Sequence, residues 1–180
     1  MGLVGAMFLI LPLRADAEDA SPVLARSALR NPMPGGLLAG YAGDTGLDIA
    51  GPPSPVFALA DATVDYAEAG HTRWMGKRDT PYCVRLKLDT PIVYKGRRVT
   101  HVWYAHLSAL AFQQKEGAEE RRHVRAGDRL GTSGTANGSP HLHLGLLLED
   151  HVEQDDWTYI LRENEVRDVL GGYKGGERLR

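Results

Sequence analysis

His141-Leu142-His143-Leu144-Gly145-Leu146-Leu147-Leu148 alternates two histidines with leucines before running into an apolar tail. Successive side chains on a strand point to opposite faces, so this stretch predicts a strand with two neighbouring imidazoles on one face and leucines on the other. One imidazole of such a pair can bind a metal ion while the other exchanges protons with bound water. Alone, the pair reads more readily as two histidines on a surface strand.

Three further stretches bear on that choice. Asp44-Thr45-Gly46-Leu47-Asp48 places two carboxylates four positions apart around a glycine, leading into apolar Ile49-Ala50. A carboxylate within an apolar strand needs a partner, because burying it unpaired costs several kcal/mol or forces protonation. A divalent cation would serve, and so would an Asx-type turn capped by Asp44, with Asp48 bonded to backbone amides. Tyr104-Ala105-His106-Leu107-Ser108 ends an aromatic strand on a histidine, a position where a lone histidine is usually structural. The run from Arg125 to Pro140 is glycine-rich and could bring backbone close to a cleft, but it lacks the lysine-bearing pattern of a phosphate loop.

The rest of the chain describes the frame. With 180 residues, 43% of them hydrophobic, it can build one ordinary core. Lys and Arg number 21 against 23 acidic residues, a balance that gives no field to attract nucleic acid. Cys83 is the only cysteine, so neither an internal disulfide nor a thiolate cluster can form, and the residue reads as a buried, inert thiol. Any metal would therefore be held by His and carboxylate.

Twenty-one glycines and ten prolines fall mostly between short apolar runs, as many strands joined by turns require. Strands are expected at 46–49, 56–59, 63–68, 82–88, 92–94, 99–106, 129–131 and 141–148. Turns are expected at 52–55, 89–91 and 95–97. The segments 71–81 and 113–122 read as longer loops. Helical spacing of Trp157, Ile160, Leu161, Val166, Val169 and Leu170 predicts a C-terminal helix stopped by Gly171-Gly172.

Residues 1–17 hold a short apolar run followed by an A-x-A-like site, a signal-like or anchor segment that favours an exported, periplasmic or cell-envelope protein. The run is shorter than the roughly 20 residues of a spanning helix and lacks a basic start. Residues 18–36 read as a linker lying against one folded domain, 37–180.

Taken in order, four motifs resemble the lysostaphin-type (LytM-like) zinc metallopeptidases that cut peptide bonds of bacterial cell-wall peptidoglycan. They are G-x-D followed by I-A and P-V-x-A (Gly46 to Ala58), Y-A-H-L-S (Tyr104 to Ser108), V-x-A-G-D-x-L-G from Val124, and H-L-H-L from His141. The likeness spans about Gly40 to Leu148. It implies a mainly β, compact antiparallel sheet or sandwich domain of the LytM type (duplicated hybrid motif-like), here with the C-terminal helix. It also implies Zn2+, or another divalent ion, at Asp48 and His143, with His106 and His141 as catalytic groups.

Where the family carries its first histidine ligand, this chain has Asp44, an acceptable but shorter and more negative ligand that would make bound water less acidic. Two functions follow. One is a zinc-dependent endopeptidase of peptidoglycan cross-links with Asp44 as third ligand. The other is a catalytically degenerate module that binds cell wall or regulates another hydrolase. His71 is a candidate replacement imidazole. Tyr104, Asn137 and Trp74 are assigned to substrate by position, with Trp103 left to the core. Peptidoglycan peptides are the expected partner of a monomer, with an envelope protein as a candidate second partner.

Overall fold

The computed structural model describes residues 24–40, 43–72, 76–152 and 156–179. The signal-like segment 1–17, the first part of the expected linker and Trp74 lie outside them.

Among the described residues, nine strands make one antiparallel sheet: β1 (Leu37–Ala39), β2 (Leu47–Ala50), β3 (Pro55–Phe57), β4 (Ala62–Ala69), β5 (Tyr82–Tyr94), β6 (Arg97–Leu110), β7 (His123–Val124), β8 (Arg129–Ala136) and β9 (Ser139–Leu148). Their order is β1-β2-β9-β8-β6-β5-β4-β7, with β3 on β8 and a second pairing of β9 with β6. The mainly β, LytM-type antiparallel architecture is thus the one expected.

Alternation on β9 divides the two faces. Leu142, Leu144, Leu146 and Leu148 enter the main core, with Leu47 and Ile49 of β2 and Val102 and Tyr104 of β6. His141, His143, Gly145 and Leu147 occupy the alternate positions, and Leu147 packs in a second, smaller cluster with Tyr66, Cys83, Trp103, Ala105 and Ile160. Within it, burial pushes the Cys83 thiol up to about 12, which fits an inert side chain.

Several local expectations are corrected. The turn expected at 89–91 lies inside β5, where the chain stays extended and absorbs the irregularity as a register shift between Lys87 and Ile92. The glycine-rich run is largely strand β8. The strand expected at 129–131 extends to Ala136, and a Cβ at Gly131 would stand 2.3 Å from the Ala109 carbonyl oxygen, so glycine there serves close strand contact. The helix is only α1 (Glu163–Val169). Ile160 instead bridges Leu147 in extended backbone, since pairing with the free edge of β9 satisfies its polar groups.

The described part of the expected linker rests on the domain. Met33 is buried, Arg30 N–H donates to the Leu59 carbonyl (2.8 Å), and Phe57 N–H donates to that of Pro32 (2.9 Å).

On the face carrying Trp103 and His143, β4 and β5 bury a charged network. Asp65 accepts from Arg85 Nε (3.0 Å) and Arg121 Nη1 (3.0 Å) and lies 3.5 Å from His101 Nε2. Arg85 also donates to Glu116 (2.6 Å) and to the Val152 carbonyl (3.3 Å), tying the 113–122 loop to the sheet. Removing one partner of a buried ion pair leaves the other charge desolvated. Asp65→Ala is therefore expected to lower unfolding free energy by about 3 kcal/mol in urea titration. A surface salt bridge would cost well under 1 kcal/mol.

Candidate metal and peptide site

The site forms where β6 changes partners. Up to Ala105, β6 pairs with β9 (Ala105↔His143); from Leu107 it pairs with β8 (Leu107↔Ser133). His106, at the break, has φ of 62°, a left-handed conformation uncommon for a residue with a side chain. The same junction receives His141, opposite Gly134 of β8, while Asp48 of β2 pairs with His143. Three strands thus deliver four polar side chains to one place.

His143 Nδ1 donates to Asp48 Oδ1 at 2.9 Å, and His141 Nε2 lies 3.7 Å from the same oxygen. His141 Nδ1 sits 2.9 Å from the Ser139 carbonyl oxygen, which can only accept, so its proton is on Nδ1 and the Nε2 lone pair faces Asp48. The His106 ring stands edge-on to His141 (5.2 Å between centroids) and His143 (6.1 Å). Its Nδ1 is buried without a hydrogen-bond partner.

Burial works against ionisation of Asp48, but the His143 hydrogen bond and the nearby His141 and His106 outweigh it and hold the carboxyl below its ordinary value. Burial, reinforced by the two neighbouring imidazoles, pulls His106 down to about 4, so it is neutral at pH 7.

Supporting contacts hold this geometry. Thr80 Oγ1 donates to the His106 carbonyl (2.8 Å), while Thr80 N–H donates to that of Thr135 (2.9 Å). Asp79 accepts from Asn137 N–H (3.0 Å), binding the loop to the β8–β9 turn. A Cβ at Gly134 would meet Thr80 Oγ1 and the His106 carbonyl, so glycine makes room for the clamp. Gly46 has φ of 78°, and a Cβ there would stand 2.7 Å from both His143 Nε2 and the Leu144 carbonyl oxygen.

Asp48, His143, His141 and His106 are therefore brought together; Asp44 is not. Its Oδ1 accepts from the following amide, Thr45 N–H, at 2.8 Å, and its carbonyl accepts from Glu163 N–H. Asp44 thus holds the turn locally, through the next residue's amide and not through the i+2 bond of an Asx-type turn, while Asp48 bonds to His143 and not to backbone amides. Among the described residues no three His, Cys, Asp or Glu side chains converge in metal-binding geometry. Asp48 Oδ1 and His143 Nδ1 face each other and fit two places of a divalent ion's coordination shell, while the third is not filled by this arrangement. His71 is engaged elsewhere, stacked on Tyr66 and bonded to Glu68.

Tyr104 is corrected from substrate lining to core. It is fully buried, and its hydroxyl accepts from Leu59 N–H (2.8 Å). Trp103 takes the site face instead, its ring 5.3 Å from that of His143. On a regular strand Tyr104 and His106 would share a face; the left-handed backbone at His106 breaks that parity. Asn137 is exposed in the β8–β9 turn with its amide committed to Asp79. Thr80 was missed because its role depends on a loop contact that carries no sequence period.

Two outcomes follow. Gly46→Ala should destabilise the chain by about 1–2 kcal/mol from the left-handed backbone alone and displace the His143 ring, read by thermal unfolding and imidazole NMR shifts. For His106 the folded value lies below the ordinary 6.5, so the unfolded chain binds the proton first as pH falls. Its contribution is complete above 6.5 and lost between there and about 4. Metal-free protein should therefore lose about 1–2 kcal/mol between pH 7 and 5, and His106→Asn, which tolerates positive φ, should flatten that slope in urea titrations.

Residues 42–155 match the model of peptidase family M23. Among solved structures, a Pseudomonas aeruginosa protein described as a candidate M23 peptidase is similar in fold: TM-score 0.53 and 24% identity over 86% of this chain and 55% of that chain. Lysostaphin from Staphylococcus simulans gives TM-score 0.51 and 21% identity over 79% of this chain and 53% of its own. The chain spans about half the length of these solved relatives. Comparison with curated proteins gave no match. With a family model covering the strands and turns that carry Asp48, His106, His141 and His143, the chain belongs to peptidase family M23.

Proposed function

We propose that the chain acts on peptides of bacterial cell-wall peptidoglycan as an M23-type endopeptidase, in the cell envelope or outside it. The observation that carries this reading is the convergence of Asp48, His143, His141 and His106 at the strand junction, with His106 buried and neutral and its Nδ1 without a hydrogen-bond partner.

Asp48 and His143 would hold a divalent ion, zinc by family, with Asp44 as third ligand after its carboxylate leaves the Thr45 amide. Such an ion polarises the scissile carbonyl and acidifies bound water. The chain's own groups supply the rest. His141, fixed by Ser139 with its Nε2 lone pair turned inward, accepts a proton there. Neutral His106, held through its backbone by Thr80, offers a ring N–H to an oxyanion.

A second reading is favoured by one observation, the capping of Thr45 by Asp44. With that carboxylate committed, the groove holds a facing pair of donors and serves to bind wall peptide or to regulate another hydrolase.

Metal content and fragment release from purified peptidoglycan separate the two. For the peptidase, near-stoichiometric zinc is expected in wild type and is lost in both Asp44→Ala and His143→Ala, with turnover lost in parallel. Asp44→His should then raise zinc affinity at least about tenfold, since imidazole restores the family's ligand type. Metal-free, inactive wild type that still sediments with peptidoglycan would establish the binding module.

A further inference from the structure

Trp157 is the most exposed large hydrophobic side chain among the described residues, at 54%. Its backbone setting is well defined. Thr158 N–H donates to Asp156 Oδ1 (3.0 Å), Tyr159 N–H donates to the Asp156 carbonyl (2.9 Å), and Arg97 donates to the Thr158 carbonyl (2.7 Å). The Arg162 guanidinium carbon lies 5.2 Å from the indole centroid, and Arg162 Nη1 donates to the Gly43 carbonyl at 2.7 Å. A single guanidinium therefore joins the exposed indole to the start of the turn that carries Asp48.

The segment also lies on the site-bearing face. Ile160 packs with Trp103 and Leu147, Thr45 bridges Arg162, and Gly46 N–H donates to the Leu161 carbonyl at 2.8 Å. Among the described residues this indole is the large apolar side chain most open to solvent, and it stands beside a cation on a turn hydrogen-bonded to the segment that carries Asp48.

We propose that Trp157 and Arg162 form a carbohydrate subsite that receives an N-acetylated sugar of the glycan strand whose peptide enters the neighbouring groove. This rests on the peptidoglycan reading above. A pyranose presents a flat C–H face that covers an indole, and its hydroxyls and acetamido oxygen take hydrogen bonds from the remaining guanidinium N–H groups. Because Arg162 is anchored to the Gly43 carbonyl, sugar and peptide would be registered against one another and not bound independently.

The test compares two soluble ligands by calorimetry: a disaccharide-bearing stem peptide, and the same stem peptide freed of its sugars. Wild type should bind the first more tightly. Trp157→Ala should weaken it by about tenfold, the scale of one aromatic stacking contact, while leaving affinity for the sugar-free peptide unchanged. Trp157→Phe should recover part of the loss, and circular dichroism should match wild type because the side chain is exposed. Equal weakening for both ligands, or none for either, overturns the carbohydrate assignment while leaving the peptidoglycan reading intact. Failure of wild type to bind both ligands overturns that reading and this inference with it.

Discussion

The exchange of partners by β6 at His106 is the constraint on which the rest of the molecule turns. A continuous β6–β9 ladder would bury this position in ordinary sheet with no room for four polar side chains. By leaving β9 after Ala105 and joining β8 at Leu107, the strand opens a junction whose polar groups need not all be paired by backbone. The left-handed conformation of His106 is the local cost, offset by the Thr80 clamp on its carbonyl and by glycine at positions 131 and 134, where the backbones approach too closely for a side chain.

Electrostatics at the junction follow from the same packing. Burial favours neutral forms, and the histidines sit close enough to discourage one another from charging, which keeps His106 neutral. Asp48 is the exception, because it receives the His143 N–H and so stays ionised in a largely apolar setting. One carboxylate beside three imidazoles is a suitable seat for a cation. Without one, Asp48 Oδ1 is bonded to His143 Nδ1 and His141 Nδ1 to the Ser139 carbonyl, while His106 Nδ1 stays buried without a hydrogen-bond partner.

Legibility in the sequence tracked periodicity. The alternation of His141 to Leu148 divided the leucine face in the core from the histidine face, and the motifs around Asp48 and His106 marked the other two residues that meet there. What escaped was non-periodic. The parity break at His106 inverted the roles of Trp103 and Tyr104, because a sequence does not mark where a strand's backbone turns left-handed. The strand expected at 129–131 runs on through Gly134 to Ala136, and the close contacts that require glycine at 131 and 134 were not legible, since the carbonyl each one faces belongs to a distant segment. The apolar spacing from Trp157 to Leu170 suited a helix, but an unfilled stretch of the β9 edge claimed its first part.

That last contact fixes the timing of assembly. The turn holding Asp48 is bonded to β9 and to residues 161–163, so two of its supports lie about a hundred residues further along the chain. During synthesis from the N-terminus, Asp48 and Gly46 are made early but cannot take their places until Glu163 has emerged. The cluster is completed by the late-made part of the domain, and a nascent chain has no formed site until residues 161–163 can dock.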